Sequence, residues 1–332
     1  MHNLLIKRAL PAGLFLLSIN ASAQKAKDSV STRVLNYLAG QFATARPFNI
    51  EYTGSLPFNY SPRYGDVKLP QARMHQFSQV KATANINVVK NRKWLIGMTG
   101  GYKYTDLSTT IRSVGALEER SLNSDFHYFF TSVNVNHFSK LFNKTVIYSG
   151  SLVTDASEES FGRVKGILSA TMVLRADAKV RMSAGLLVNI DAGSQLPVFP
   201  LFMYENKLGN GWTADIIFPR QFLLRKYIPG HGRLSIGTQL DGTIFYLQGL
   251  GGNMTQKFEY RQTDIANGLI YEHLLGKHFI LTAKGGLRVT TNGRIFEKSK
   301  TFADGIFETA PKPGGYFNVG VSFNPFFRKK QK

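Results

Sequence analysis

Cysteine is missing from all 332 residues of the chain. Its absence excludes thiol catalysis, zinc–cysteine sites and disulfides together, and with them a lipoprotein anchor, which needs a cysteine at its cleavage point. Long apolar runs are missing too. No stretch beyond the N-terminus approaches the roughly 18–20 apolar residues of a spanning helix, which excludes a helical inner-membrane protein. The spacings HExxH, GxSxG and the P-loop do not occur, and Gly249-Leu250-Gly251-Gly252 has nothing downstream to make it a phosphate cradle. Charged residues make up only 19% of the chain against 43% apolar, a balance that a disordered protein does not have.

What is present starts with an export signal. Lys7 and Arg8 precede the apolar run Leu10 to Ile19, and Ala21-Ser22-Ala23 is a small-residue cleavage site. Residues 1–23 therefore read as a signal peptide cut between Ala23 and Gln24. Cleavage removes two of the 41 basic residues and no acids, leaving 39 basic against 21 acidic residues, a net charge of +18. Export argues against nucleic acid as the partner of this charge. It leaves anionic solutes, lipopolysaccharide or a periplasmic partner.

Beyond residue 46 the chain alternates. Val80, Ala82, Ala84, Ile86 and Val88 fall on one face, with Lys81, Thr83, Asn85 and Asn87 on the other. After a turn at Asn91-Arg92, Trp94, Ile96, Met98, Gly100, Tyr102 and Tyr104 form the next apolar row, aromatic at both ends. Rows of this length, with aromatic ends and polar reverse faces, are the signature of a transmembrane antiparallel β-barrel with one face on lipid and one on the lumen. The pattern recurs at 163–174, 180–190, 233–246, 279–289 and 316–324. In 233–246 the lipid row is read as Leu234, Ile236, Leu240, Ile244 and Tyr246.

Short turns are read near 91–92, 140–143, 177–178, 207–210, 229–232 and 275–277. Longer connections are read near 57–72, 107–122, 155–160, 192–198, 219–220, 248–254 and 292–313. The two kinds alternate, which predicts about 14 strands with both termini periplasmic. If one hairpin within 199–228, where Pro219 and Pro229 intrude, stays out of the barrel, the count is 12. The barrel is assigned to 47–327 and a basic tail to 328–332. Residues 24–46 form a periplasmic segment in which Val30, Val34, Tyr37, Leu38 and Phe42 have rough helical spacing. A short helix at the barrel mouth is the plainer reading, and a plug entering the lumen the sharper one.

Two resemblances follow. Asn318-x-Gly320-x-x-Phe323 resembles the C-terminal signal read by the barrel-assembly machinery, although the chain continues through Pro325-Phe326-Phe327. The exported start, Ala45-Arg46-Pro47-Phe48-Asn49-Ile50-Glu51-Tyr52, and the long 196–227 segment with Gly209-Asn210-Gly211-Trp212 resemble the poorly characterised outer-membrane β-barrels of Bacteroidetes. That resemblance implies fold and outer-membrane location, and no substrate.

The alternation assigns lumen residues. Lys81, Lys103, Arg163, Lys165, Arg175, Arg181, Arg233, Lys284 and Arg288 face inward, as do Glu51, Asp215, Asp241, Asp264 and Glu272. Basic groups are in excess, which in a narrow tube favours anions, unless the charges pair across the lumen and fill it. Phe126, Tyr128 and Phe130 also face inward, either for an apolar ligand or as packing for a loop such as 292–313 folded over the mouth. Glu118-Glu119 and Asp155 with Glu158-Glu159 are placed in outer loops, solvated or bridging cations to lipopolysaccharide.

Catalysis on a barrel needs a base within reach of a nucleophile. His137, His231, His273 and His278 read as turn or interface residues, and only His75 and His127 lie near the outer rim. No enzyme, metal or cofactor is expected. The functional expectation is a passive channel or transporter for small anionic or amphiphilic solutes. The alternative is a structural or partner-binding barrel with a plugged lumen, and an outer-rim hydrolase comes last. The oligomeric state stays open.

Overall fold

The computed structural model describes residues 30–112, 119–230, 232–249 and 256–325. Ala23 and Gln24, Glu118, His231, the glycines at 251–252, the pair Phe326-Phe327 and the tail 328–332 lie outside the described residues. Among the described residues a helix, α1 (Val30–Gln41), precedes eighteen strands. They are β1 (Phe48–Ser55), β2 (Phe58–Tyr60), β3 (Arg63–Tyr64), β4 (Val67–Lys68), β5 (Ala72–Lys90), β6 (Trp94–Arg112), β7 (Glu119–Leu141), β8 (Lys144–Ala156) and β9 (Phe161–Ala176). The order continues with β10 (Val180–Ile190), β11 (Val198–Lys207), β12 (Trp212–Phe218), β13 (Gln221–Ile228), β14 (Gly232–Gln248), β15 (Lys257–Leu275), β16 (Phe279–Glu297), β17 (Phe307–Glu308) and β18 (Gly314–Phe323).

Fourteen of these make a closed antiparallel barrel, so the larger of the two expected counts holds. Each strand pairs with its neighbour along the chain, and β1 closes the ring against β18 from Phe48↔Phe323 to Ser55↔Tyr316. The hairpin β12–β13, which prolines made doubtful, belongs to the wall. The short β2, β3, β4 and β17 knit the first and last long connections together above one rim. There β17 pairs with both β3 and β16, and Arg294 and Glu308 form a 2.6 Å ion pair.

The barrel has two unlike ends. At the terminal end, where β1 begins and β18 finishes, the turns are short and their residues explain them. Asn91 Oδ1 accepts from the backbone N–H groups of Lys93 (2.9 Å) and Trp94 (2.7 Å), and Asp177 Oδ1 from those of Lys179 (2.8 Å) and Val180 (2.6 Å). Short polar side chains mimic a backbone turn in this way. The opposite, loop end carries the long connections.

The outer surface is apolar around the ring. Ile86, Met98, Val133, Leu152, Leu168, Leu186, Leu287 and Val319 are all exposed. The inner face is polar and mostly buried, with Thr83, Thr105, Ser132, Ser235, Thr243 and Asn318 among its members. This is a protein turned inside out, the architecture of a membrane-spanning barrel in which every backbone group must be paired strand to strand. Among the described residues no helix is long and apolar enough to cross a membrane.

Candidate functional site

The site is the lumen, built in three layers. The floor is the chain's own N-terminal segment. After α1, Arg46 runs into the wall almost fully buried (1% exposed). It donates to Ala39 O (3.0 Å), to Ser322 Oγ (2.6 Å) and to the Glu272 carboxylate of β15. Glu272 also holds Arg233 of β14, so one carboxylate joins the segment to the wall. Further out, Gln41 donates to Glu205 (3.2 Å) and accepts from Arg225, which pairs with Asp215 at 2.6 Å. Arg220 lies 3.9 Å over the Phe42 ring and Arg181 lies 5.8 Å over Tyr37. Burial, with Asp215 and Glu205 nearby, raises the Tyr37 phenol above its ordinary range. The 37–46 stretch thus bonds to the inner wall near the terminal end, and Gln41 to Thr44 line the lumen cavity.

The middle layer is a charged girdle around a cavity of about 120 Å³. Seven basic residues line it, Lys81, Lys103, Arg220, Arg225, Arg233, Lys284 and Arg288, against three acids, Glu51, Asp241 and Glu272. Pairing of Lys81 and Arg288 within it is loose. Lys81 and Glu51 are 3.9 Å apart, and Arg288 lies 4.0 Å from Asp241 and 3.9 Å from Asp264. Lys103 donates to the backbone carbonyl of Gly242 (2.9 Å) and Lys284 to Gln239 Oε1 (3.4 Å); neither forms an ion pair among the described residues. Asp264 is held by Thr290 (2.6 Å) and Gln262 (2.8 Å).

The roof closes the loop end. Phe126 of β7 stacks on Phe245 of β14 at 4.1 Å, and Phe245 stacks on Tyr260 of β15 at 4.7 Å. Asp155 holds Lys165, Tyr128 (2.8 Å) and Tyr246 (2.8 Å), while Glu259 holds Arg163 (2.6 Å) and Arg261. The 298–300 stretch crosses the mouth to β9, with Lys298 donating to Phe161 O (2.7 Å) and Arg163 to Lys300 O (3.2 Å).

The lumen residues read from alternation separate among these layers. Arg181 and Asp215 belong to the floor, and Arg233 joins the floor to the girdle. Lys81, Lys103, Lys284, Arg288, Glu51, Asp241 and Asp264 meet in the girdle. Arg163, Lys165, Phe126 and Tyr128 belong to the roof, and Phe130 lies beside Tyr128, its ring over Gly101, where a Cβ would come within 2.1 Å.

Four readings change. Arg175 pairs with Asp177 at 2.5 Å in an exposed turn, because the wall ends there. Asp155 is a buried partner of Lys165 and not a solvated loop carboxylate. Tyr246, placed on the lipid row, turns in because β14 leans across the lumen toward β7 and β8. The aromatics of β7 pack on β14, while Phe302 of the 292–313 connection sits on Phe296.

Alternation missed Arg46, Arg225, Arg261, Glu259, Glu205 and Asp191. Arg225 does alternate with Leu223 and Gln221, a signal that the flanking prolines obscured. Glu259 and Arg261 fall on the odd positions of β15, opposite in parity to Asp264 and Glu272, where 258–262 is buried on both faces.

Outside the lumen, His75 bonds Thr110 Oγ1 (2.7 Å), His127 bonds Tyr102 (2.7 Å) and His137 packs on Trp94 at 4.3 Å. Among the described residues no group of three His, Asp or Glu side chains could hold a metal ion.

Two solved structures match the chain at very low identity. The COG4313 outer membrane channel from Pseudomonas putida F1 is 11% identical, with 84% of this chain and 96% of that chain covered and a TM-score of 0.32. The outer membrane protease OmpT from Escherichia coli is 7% identical, with 83% and 95% covered and a TM-score of 0.23. No curated protein sequence matches the chain. A family model described as a domain of unknown function, DUF6268, matches residues 36–324, from the middle of α1 to the end of the last strand, and the chain belongs to that family.

Proposed function

We propose that the protein is exported by its signal peptide and spans the outer membrane of a Gram-negative bacterium of the Bacteroidetes type its sequence resembles. There it is a normally closed conduit for small anionic or amphiphilic solutes. The observation that carries this reading is the net-basic cavity held between the chain's own N-terminal segment and the roof. A low-dielectric tube with an excess of fixed cations concentrates anions. The termini are periplasmic in this reading, so the floor opens toward the periplasm, and the barrel-assembly machinery inserts the chain beside lipopolysaccharide.

The reading is one of passage and not of catalysis. Neither His75 nor His127 has a serine as hydrogen-bond partner among the described residues. A second reading is supported by the depth of the floor contacts: a closed barrel whose N-terminal segment is offered to a periplasmic partner.

Planar-bilayer recording at two salt gradients separates the readings. The intact protein should be silent or flicker, and a variant lacking residues 24–46 should conduct with anion preference. A truncated barrel that folds and stays silent would refute the conduit.

A further inference from the structure

The wall is not of even height. A strand tilted in a bilayer needs about 9–11 residues to cross. β12 has 7 and β13 has 8, whereas the flanking β14 has 17. Their connecting turn at 218–220 therefore stops inside the apolar belt. Above it, pairing between β13 and β14 ends at Gln221↔Gln239 and one further bond, Leu240 N–H to Arg220 O (2.8 Å). From Asp241 to Gln248, β14 pairs only with β15, and from Val198 to Leu201, β11 pairs only with β10.

The freed half of β14 leaves the wall. Gly242 O accepts from Lys103 of β6, Phe245 stacks on Phe126 of β7, and Tyr246 reaches Asp155 of β8. Over the gap, the 191–197 connection reaches β15 and β16 through Asp191–Arg261 (2.7 Å), Gln195–Thr263 (3.1 Å) and Asn292–Gln195 (3.1 Å). The result is a gap in strand pairing between β11 and β14, with the 218–220 turn as its sill and 191–197 as its lintel. Its frame is apolar and exposed at Leu196, Val198, Phe202, Phe218 and Phe222. Just inside the sill, Arg220, Leu240 and Asp241 line the girdle cavity.

We infer that this gap between β11 and β14 is a lateral portal, and that the ligand of the girdle is a single-chain anionic amphiphile. The inference rests on the conduit reading and names its substrate class. Floor and roof close the axial path, so the wall is where an acyl chain lying in the bilayer meets the cavity. The chain lies along the apolar frame, and the anionic headgroup sits among Lys81, Lys103, Lys284 and Arg288, all within electrostatic reach of Asp241. Arg288, nine-tenths buried, lines this cavity with its Nη2 4.0 Å from Asp241.

The test uses the full mature chain in detergent with three probes: palmitate, hexadecanol and inorganic phosphate. Palmitate should bind saturably and more tightly than either of the others, and a photoreactive palmitate should label 196–202, 218–222 and 240–246. The double variant Lys103→Gln, Lys284→Gln should bind palmitate at least about tenfold more weakly, the worth of one charge-assisted hydrogen bond. Val198→Trp, a bulky change on the exposed frame, should weaken palmitate binding and leave phosphate binding unchanged. Equal binding of palmitate and hexadecanol with label spread over the belt means surface adsorption and overturns the portal. Phosphate binding as tightly as palmitate also overturns it. Anion-selective conductance of the truncated barrel without palmitate binding sinks the portal alone, whereas palmitate binding in a silent truncated barrel sinks the conduit alone.

Discussion

Lys81 of β5 and Lys103 of β6 stand directly opposite each other in the barrel wall, two like charges on neighbouring strands, both turned into the lumen. Such a pairing is unfavourable in a sheet by a fraction of a kcal/mol up to about 1 kcal/mol. Glu51, the cross-strand partner of Lys81 on its other side, offsets it in part at 3.9 Å. Lys103→Gln keeps a donor for the Gly242 carbonyl and removes the repulsion, so stability should stay within about 1 kcal/mol of the parent. In the barrel lacking residues 24–46 the same change should reduce anion preference, read as a smaller reversal potential under a salt gradient. An unchanged reversal potential would remove Lys103 from the conducting path.

Glu272 is a carboxylate shared by Arg46 and Arg233. Glu272→Gln leaves two buried guanidinium groups without their counter-charge. Breaking a buried pair in this way costs about 3–5 kcal/mol. The cost falls on the seat of the N-terminal segment, so residues 30–46 should become cleavable by protease and the barrel should conduct without truncation. Arg46→Ala keeps Glu272 with Arg233 and should release the segment with less loss of overall stability, measured by heat-induced mobility change. Resistance of both variants to protease would show that the seat is held elsewhere.

Phe126 and Phe245 carry the roof across the lumen at 4.1 Å. Phe126→Ala removes an aromatic pair worth about 0.5–1.5 kcal/mol beyond its burial. Combined with removal of residues 24–46, it should raise single-channel conductance above that of the truncation alone. Equal conductance of the two would place the constriction at the ion pairs of Asp155 and Glu259 instead.

Asp177 sits in the β9–β10 turn, outside the membrane-spanning strands. The backbone N–H of Val180, the Arg175 side chain and the N–H of Lys179 lower its pKa to about 2 from 3.8. The folded pKa is depressed, so this turn's contribution is complete above pH 4 and is lost as pH falls from there through 2. Carboxyl NMR of a labelled protein should give a midpoint near 2 for Asp177. A midpoint at the ordinary value would mean that the turn bonds do not form in solution.

Alternation alone determined the barrel, its turns and the inward face of Lys81, Lys103, Lys284 and Arg288, because lipid on one side and water on the other impose a strict period of two. Turn chemistry was equally legible at Asn91 and Asp177, where a short polar side chain serves its own backbone. Where the period breaks, the sequence falls silent. Burial of 258–262 on both faces hid Glu259 and Arg261, and the lean of β14 carried Tyr246 from the lipid row to Asp155. The descent of Arg46 onto Glu272 joins residues 226 positions apart, and no local pattern encodes it. Closure of the ring decided these things: bending a sheet into a tube brings opposite walls together, and only then do the charges read from single strands find partners, a floor and a roof.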